Sequence, residues 1–470
     1  MQSLFSALLL ATNLLGGAEA LNLLQPRDGQ APKVVSHTFE RRHIPDRFRQ
    51  MDADRHRMRK RQGSSSGKTV GVALDNEEAL YLFNGSLGTP EQDLLLHIDT
   101  GSSDLWVNTP GSQLCQQNAA ACQQAGTYAP NDSSTYQYVD SRFSITYVDG
   151  SSATGDYVSD RFAFGDVEIE SLQFGIGYEA TKTVGVLGIG YAAREVSASY
   201  GQQYDNLPLQ LVNQGAINTN AYSLWLNDLD ASKGEILFGG VNSEKYEGEL
   251  QTVPVIPEQG GIYAELIIAL TAIGANGNVG SIADNLQYAA LLDSGTSLMY
   301  LPDDIANAIF PAVGAEWDEQ QGAAIVDCSL ATSTETLDLT FSSPTIRIPM
   351  NELVLTAGEN VCILGVARAG STTLVLGDTF LRSAYVVYDL ENHEISLAST
   401  NFNSTGGAIQ EITRDKVPNA TQVQNAVTDV PLPSGAAATP VSGSAAVPTA
   451  AVGYGAALFG AAGVGLMAVI

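Results

Sequence analysis

Between residues 70 and 400, apolar and polar side chains alternate in short runs rather than recurring every three or four positions. Phe143-Ser-Ile-Thr-Tyr147 and Thr345-Ile-Arg-Ile348 are two such runs, bounded by Gly, Asn, Asp or Pro. Alternation of period two between turn residues predicts half-buried strands. Helical periodicity is confined to short segments, and Leu207–Gln214 and Asp303–Phe310 are expected to be helices. The expected class is all-β.

The same pattern occurs twice. Leu94-Leu-Leu-His-Ile98 leads into Asp99-Thr-Gly-Ser-Ser103, and Tyr288-Ala-Ala-Leu-Leu292 leads into Asp293-Ser-Gly-Thr-Ser297. An apolar-apolar-Gly triplet follows each: Val186-Leu-Gly188 and Val375-Leu-Gly377, ending 89 and 84 residues beyond the aspartates. Two such halves predict two lobes with pseudo-two-fold symmetry and equivalent loops facing across a cleft.

That repeat carries chemistry. Gly101 and Gly295 let each chain turn sharply and approach a second backbone. The hydroxyls of Thr100, Ser102, Ser294 and Thr296 can donate to carboxylates and cross-link the loops. Symmetry would bring Asp99 and Asp293 together, and two carboxylates at contact share a proton. One can then take a proton from water while the other polarises a carbonyl. Such a site needs neither metal nor cofactor.

Composition sets limits on partners. The chain has 470 residues, 23 Lys+Arg and 51 Asp+Glu, a net charge of −28. Nucleic acid is excluded as a partner, because phosphate binding needs basic surface. The charge is uneven: residues 21–61 carry +6 and residues 62–470 carry −33. A basic leader on an acidic body suggests a segment that lies in and blocks a cleft.

The two ends read as targeting sequence. Residues 1–20 are a short apolar run closing on Ala18-Glu-Ala20, a secretory signal pattern. Residues 21–61 form a pro-segment ending in Arg57-Met-Arg-Lys-Arg61, and 62–69 a Ser/Gly linker. A basic arm without processing is the alternative. Lobes are expected at 70–250 and 251–403, and a Ser/Thr/Pro/Ala-rich linker at 404–441. Residues 442–470 have the layout of a glycosylphosphatidylinositol (GPI) attachment signal, with Ser442, Gly443 or Ser444 as the attachment residue. A single membrane-spanning helix is the alternative there. The expected location is the external face of the plasma membrane or the wall.

Asn84, Asn131, Asn403 and Asn419 head Asn-x-Ser/Thr sequons and are expected to carry glycans. Cys115, Cys122, Cys328 and Cys362 predict two disulfides in an oxidising compartment. Three pairings are possible, and proximity along the chain favours 115–122 and 328–362. A zinc site is the alternative, although no Cys-x-x-Cys pair is present.

The motifs Asp99-Thr-Gly-Ser-Ser-Asp-Leu-Trp106, Ile145-Thr-Tyr147, Val186-Leu-Gly-Ile-Gly190, Phe238-Gly-Gly240, Asp293-Ser-Gly-Thr-Ser297 and Val375-Leu-Gly-Asp-Thr-Phe380 occur in this order. Over roughly residues 70–400 the chain resembles the pepsin-like aspartic peptidases. The resemblance implies a bilobal β-barrel architecture and a β-hairpin flap over the cleft. It implies catalytic Asp99 and Asp293, supporting hydroxyls on Ser102 and Thr296, and a bracing pair in Thr100 and Ser294. Tyr147 matches the flap tyrosine and Trp106 the tryptophan bonded to it. Tyr147-Val-Asp-Gly-Ser151 departs from the commonest flap by having Val148 where many relatives have Gly. Asp149 near the flap tip, the basic pro-segment and the anchor signal together resemble the fungal yapsin subgroup, though no long acidic insertion separates Cys115 from Cys122.

The implied function is a secreted, surface-anchored aspartic endopeptidase, a monomer acting on protein or peptide substrates. Cleavage beside Lys or Arg is expected, with Asp149 and Gly150 in the substrate-binding flap. Asp378 is a further cleft carboxylate candidate, expected to tune rather than to react. The competing readings are weaker. Gly63-Ser-Ser-Ser-Gly67 mimics a serine-hydrolase elbow but follows no strand. Gly188-Ile-Gly-Tyr-Ala-Ala193 lacks the context of a dinucleotide site. A catalytically silent wall glycoprotein of the same fold would be expected to have lost an aspartate.

Overall fold

In the computed structural model, residues 33–41 and 81–432 are described, apart from 148–149, 232, 359 and 371–373. The expectations for residues 1–20, 62–69 and 442–470, and for Asp149 and Ser442, fall outside these residues. So does most of 21–61.

The described chain is mostly β, and its longest sheet has fourteen strands. This sheet begins among strands of the second half of the chain (246–254, 384–389 and 394–400). It passes through 221–225, 233–238 and 81–87, and ends in the hairpin of 137–146 and 152–164. Three smaller sheets build the rest of the second half. The helices Leu207–Asn213 and Asp303–Ala312 stand where the periodicity placed them. Within the second, Ile305, Ala306, Ile309 and Phe310 are buried, at the i, i+1, i+4, i+5 spacing of one helix face.

The internal repeat is a repeat of topology. The strand Gln92–Asp99 runs parallel to Gly185–Gly188, which runs antiparallel to Leu105–Asn108. In the second half Tyr288–Leu292 runs parallel to Val375–Leu376, which runs antiparallel to Met299–Leu301. Each apolar-apolar-Gly triplet therefore lies beside the strand that delivers an aspartate. These strands are buried on both faces, so their side chains read as continuous apolar runs.

Two segments depart from the sequence expectation. Within the basic stretch 21–61, the strand Val35–Arg41 sits between 233–238 and 81–87 in the long sheet. Its Phe39 is fully buried. A β-carbon on Gly234 would lie 2.1 Å from the Phe39 ring, so only glycine leaves room for it. His37 lies on Phe83, with ring centroids 3.9 Å apart. Val35, His37 and Phe39 face inward at period two, a signal masked by the basic residues around them.

The second departure is 404–432, which composition suggested was linker. Ile409–Glu411 pairs with Gly240–Asn242, and Ala420–Gln422 adds a parallel strand to Tyr246–Pro254. Ile412 and Val417 are buried, and Val430 enters the apolar cluster that holds Leu291 and Leu298 on either side of Asp293. Ser, Thr, Ala and Pro dominate by number, but the widely spaced Ile and Val residues determine the packing.

Candidate active site

Asp99 ends its strand and Asp293 follows its own, so both carboxylates leave the sheet at a turn. They are 4% and 1% exposed. Gly101 N–H donates to Asp99 Oδ1 at 2.8 Å, and Ser102 Oγ to Oδ2 at 2.6 Å. Across the cleft Gly295 N–H donates to Asp293 Oδ1 at 2.8 Å, and Thr296 Oγ1 to Oδ2 at 2.7 Å. Each carboxylate is thus oriented by one amide and one hydroxyl from its own turn.

The two turns are locked by crossed hydrogen bonds. Thr100 N–H donates to Ser294 Oγ at 3.1 Å, and Ser294 N–H to Thr100 Oγ1 at 2.9 Å. The same hydroxyls donate onward, Thr100 Oγ1 to Leu292 O and Ser294 Oγ to Ile98 O, each at 3.0 Å. All four bonds are buried, where losing a partner is most expensive. A β-carbon on Gly101 would sit 2.6 Å from Asp293 Oδ1, and one on Gly295 2.5 Å from Asp99 Oδ1. Each glycine gives its space to the opposite carboxylate.

The hairpin of 137–146 and 152–164 carries Tyr147 at its turn. Gly150 N–H donates to Tyr147 O, Tyr147 N–H to Ser151 O, and Gly150 takes a φ of 86°. Trp106 Nε1–H donates to Tyr147 Oη at 2.7 Å. Trp106 is fully buried, with Phe143, Ile145, Tyr157 and Val186 around it.

Asp378 N–H donates to the carbonyl oxygen of Thr296, whose hydroxyl holds Asp293. Asp378 is 2% exposed and heads a short helix. Its charge acts on Tyr81 and on the buried Arg382. It also belongs to a cluster of charge with Tyr81 and Arg382. His97 is buried in its strand beside Asp99.

Disulfides join Cys115 to Cys122 and Cys328 to Cys362, one in each half. The four sequon asparagines are all exposed. Asn403 and Asn419 take left-handed turn conformations, with φ of 55° and 57°. The sequence reading gave no role to Asp104, Tyr157, Glu195 or Tyr204, which meet beneath the flap. The one signal for them is an acidic residue between Ser103 and the apolar strand Leu105–Asn108.

The family model described as eukaryotic aspartyl protease matches residues 80–400. The chain is 46% identical over 445 residues to "Probable aspartic-type endopeptidase opsB" of Aspergillus oryzae, covering 92% of this chain and 89% of that one. It is 47% identical over 384 residues to the protein of the same name from Trichophyton verrucosum, with 77% and 78% covered. Against aspartic proteinase yapsin-3 of Saccharomyces cerevisiae the identity is 35% over 362 residues, with 74% and 71% covered.

Proposed function

Because the chain belongs to the eukaryotic aspartyl protease family and is an aspartic-type endopeptidase, we propose that Asp99 and Asp293 are its catalytic pair. The approach of each turn glycine to the opposite carboxylate supports this reading. Two buried carboxylates so placed hold one proton between them. The ionised member removes a proton from water as the water oxygen attacks the peptide carbon. The protonated member gives its proton to the carbonyl oxygen. Collapse of the tetrahedral species breaks the C–N bond, and the amine leaves with a proton returned by the pair. Thr100 and Ser294 hold the two turns in register, and Tyr147, held by Trp106, closes over the peptide. The test is Asp293→Asn. It should fold, as shown by an unchanged melting curve, and lose nearly all peptidase activity. A chelator should leave the unmodified enzyme active. Full activity in the variant, or inhibition by chelation, overturns the assignment.

The enzyme is further proposed to be a secreted monomer made as a precursor cut near Lys60-Arg61, held at the cell surface through Ser442. Support comes from the apolar run at residues 1–20, two disulfides, four exposed sequons, and the small residues Ser442–Ser444 ahead of an uncharged stretch. Release of activity from intact cells by a phosphatidylinositol-specific phospholipase tests the anchor. Sequencing the mature N-terminus tests the precursor. A preference for Lys or Arg beside the cut bond fits the −33 charge of residues 62–470 and the likeness to yapsin-3. Asp149→Thr should then lower kcat/KM for basic peptides and spare apolar ones. Equal losses for both would assign Asp149 to the turn alone.

A further inference from the structure

The loop after Val186-Leu-Gly188 reaches from one half of the molecule to the other. It starts fastened to the turn that carries Asp99: Gly190 N–H donates to Ser102 O at 2.8 Å, and Ser103 Oγ to Tyr191 O at 2.6 Å. Three residues on, Arg194 Nη2 meets Glu265 Oε1 at 2.6 Å, and Nη1 lies 3.7 Å from Glu258 Oε1. Glu265 adjoins Leu266, whose carbonyl accepts Leu292 N–H at 3.1 Å, and Leu292 precedes Asp293. The strand Ile267–Leu270 then pairs with Tyr288–Leu292. A path of short contacts therefore runs from the first aspartate's turn, through one ion pair, to the strand that delivers the second.

This ion pair differs from its fellows. The side chains of Arg194, Glu265 and Glu258 are 11%, 10% and 12% exposed. Arg142 pairs with Asp140, Arg161 with Glu91 and Glu168, Arg368 with Glu319 and Arg382 with Glu352, each within its own half. Exposed pairs contribute little, whereas opening a buried one strands a charge away from water. Aromatic contacts take the same course as Arg194. Tyr191 Oη lies 3.1 Å from His393 Nδ1, and the His393 ring stacks on Tyr263 with centroids 3.7 Å apart. Tyr263 stands two residues before Glu265.

Thr100 and Ser294 join the two turns directly, and the strands 221–225 and 384–389 join the halves through the sheet. Neither contact fixes the loop after Gly190 against the strand leading to Asp293. The Arg194–Glu265 pair does so, and a guanidinium fork fixes direction as well as distance.

We infer that Arg194 and Glu265 form a clip between the halves that holds Asp99 and Asp293 at their working separation during catalysis. Both are positioning residues, acting through Tyr191 and Ser103 on one side and through Leu266 and Leu292 on the other. The inference rests on the reading of Asp99 and Asp293 as the catalytic pair. Without the clip the halves rock, the two carboxyls drift from the peptide carbonyl and its attacking water, and turnover falls. A misplacement of about 1 Å costs up to about a hundredfold in rate.

The test is kcat per active site, with sites counted by titration with a tight-binding transition-state inhibitor. Arg194→Met should lower it about tenfold or more and change KM less than about threefold. Glu265→Gln should do the same, and the double variant should be no slower than the worse single one. Exchanging the charges, Arg194→Glu with Glu265→Arg, should restore at least about a third of kcat. Arg161→Met and Arg368→Met, which open pairs within one half, should stay within about twofold. A purely structural role would remove titratable sites and leave each remaining site at full kcat. That result overturns the clip, as does an additive loss in the double variant. Arg194→Lys gives a second reading that does not depend on the exchanged chain folding. It keeps the charge and should turn over at least about threefold faster than Arg194→Met, and equal rates overturn the proposal. Asp293→Asn separates the two readings: activity there overturns the catalytic assignment and the clip together, whereas an inactive Asp293→Asn beside a fully active Arg194→Met overturns the clip alone.

Discussion

Asp99 and Asp293 each receive one amide and one hydroxyl from their own turn, and each stands next to a short strand that runs into a glycine, Gly188 or Gly377. Five residues further on, the halves part. The first half has Asp104, and the second has the buried Leu298. After the glycine the order reverses, with Ile189 in the first half and Asp378 in the second. The buried acids of the second half share their site with a cation: Arg382 Nε donates to Glu352 Oε2 at 2.7 Å, and Asp378 acts on the same guanidinium. Those of the first half have tyrosines and main-chain amides instead. Symmetry is thus kept where two turns must meet and lost one layer below.

The comparison can be broken by experiment. Asp99→Asn and Asp293→Asn should each lower kcat by about 10²–10⁴-fold with little change in melting. A gap of more than about tenfold between them would end their equivalence. Next in size, Arg382→Met leaves Glu352 and Asp378 buried without their cation and should remove about 3–5 kcal/mol of stability in urea unfolding. A loss near zero would mean that the second half is not compensated in place. Thr100→Val and Ser294→Ala should cost about 1–3 kcal/mol each, and the double variant less than their sum, because each takes a bond from the other. Strict additivity would separate the two turns. The smallest effect sharpens the contrast. Trp106→Phe should reduce kcat/KM about tenfold by taking one hydrogen bond from Tyr147. Tyr300 stands at the matching place, seven residues beyond Asp293. Tyr300→Phe should leave kcat/KM within about twofold.

Much of this was legible in the chain. The strand–Asp–hydroxyl–Gly pattern, repeated with a distant apolar-apolar-Gly, encodes the topology that delivers both aspartates. Close spacing of the cysteines was enough to pair them. What escaped was carried by few residues in misleading company. Phe39 and His37 anchor a strand inside a segment whose net charge is +6. Ile412, Val417 and Val430 hold 404–432 to the body despite its linker-like composition. Asp104 and Glu195 are 91 residues apart, and nothing local marks them as neighbours. Pairings of that kind arise only when the turn after Gly190 folds under the flap.

The packing of 404–432 also changes how far the enzyme can reach. With 404–432 packed against the body and attachment proposed at Ser442, ten residues separate Leu432 from the proposed anchor. Fully extended, ten residues span at most about 35 Å, whereas the thirty-nine counted from 404 would span about 130 Å. The cleft would then patrol a thin shell over its own cell, meeting neighbours in the same membrane at high effective concentration. Adding flexible residues after Leu432 would thicken that shell without touching the catalytic site.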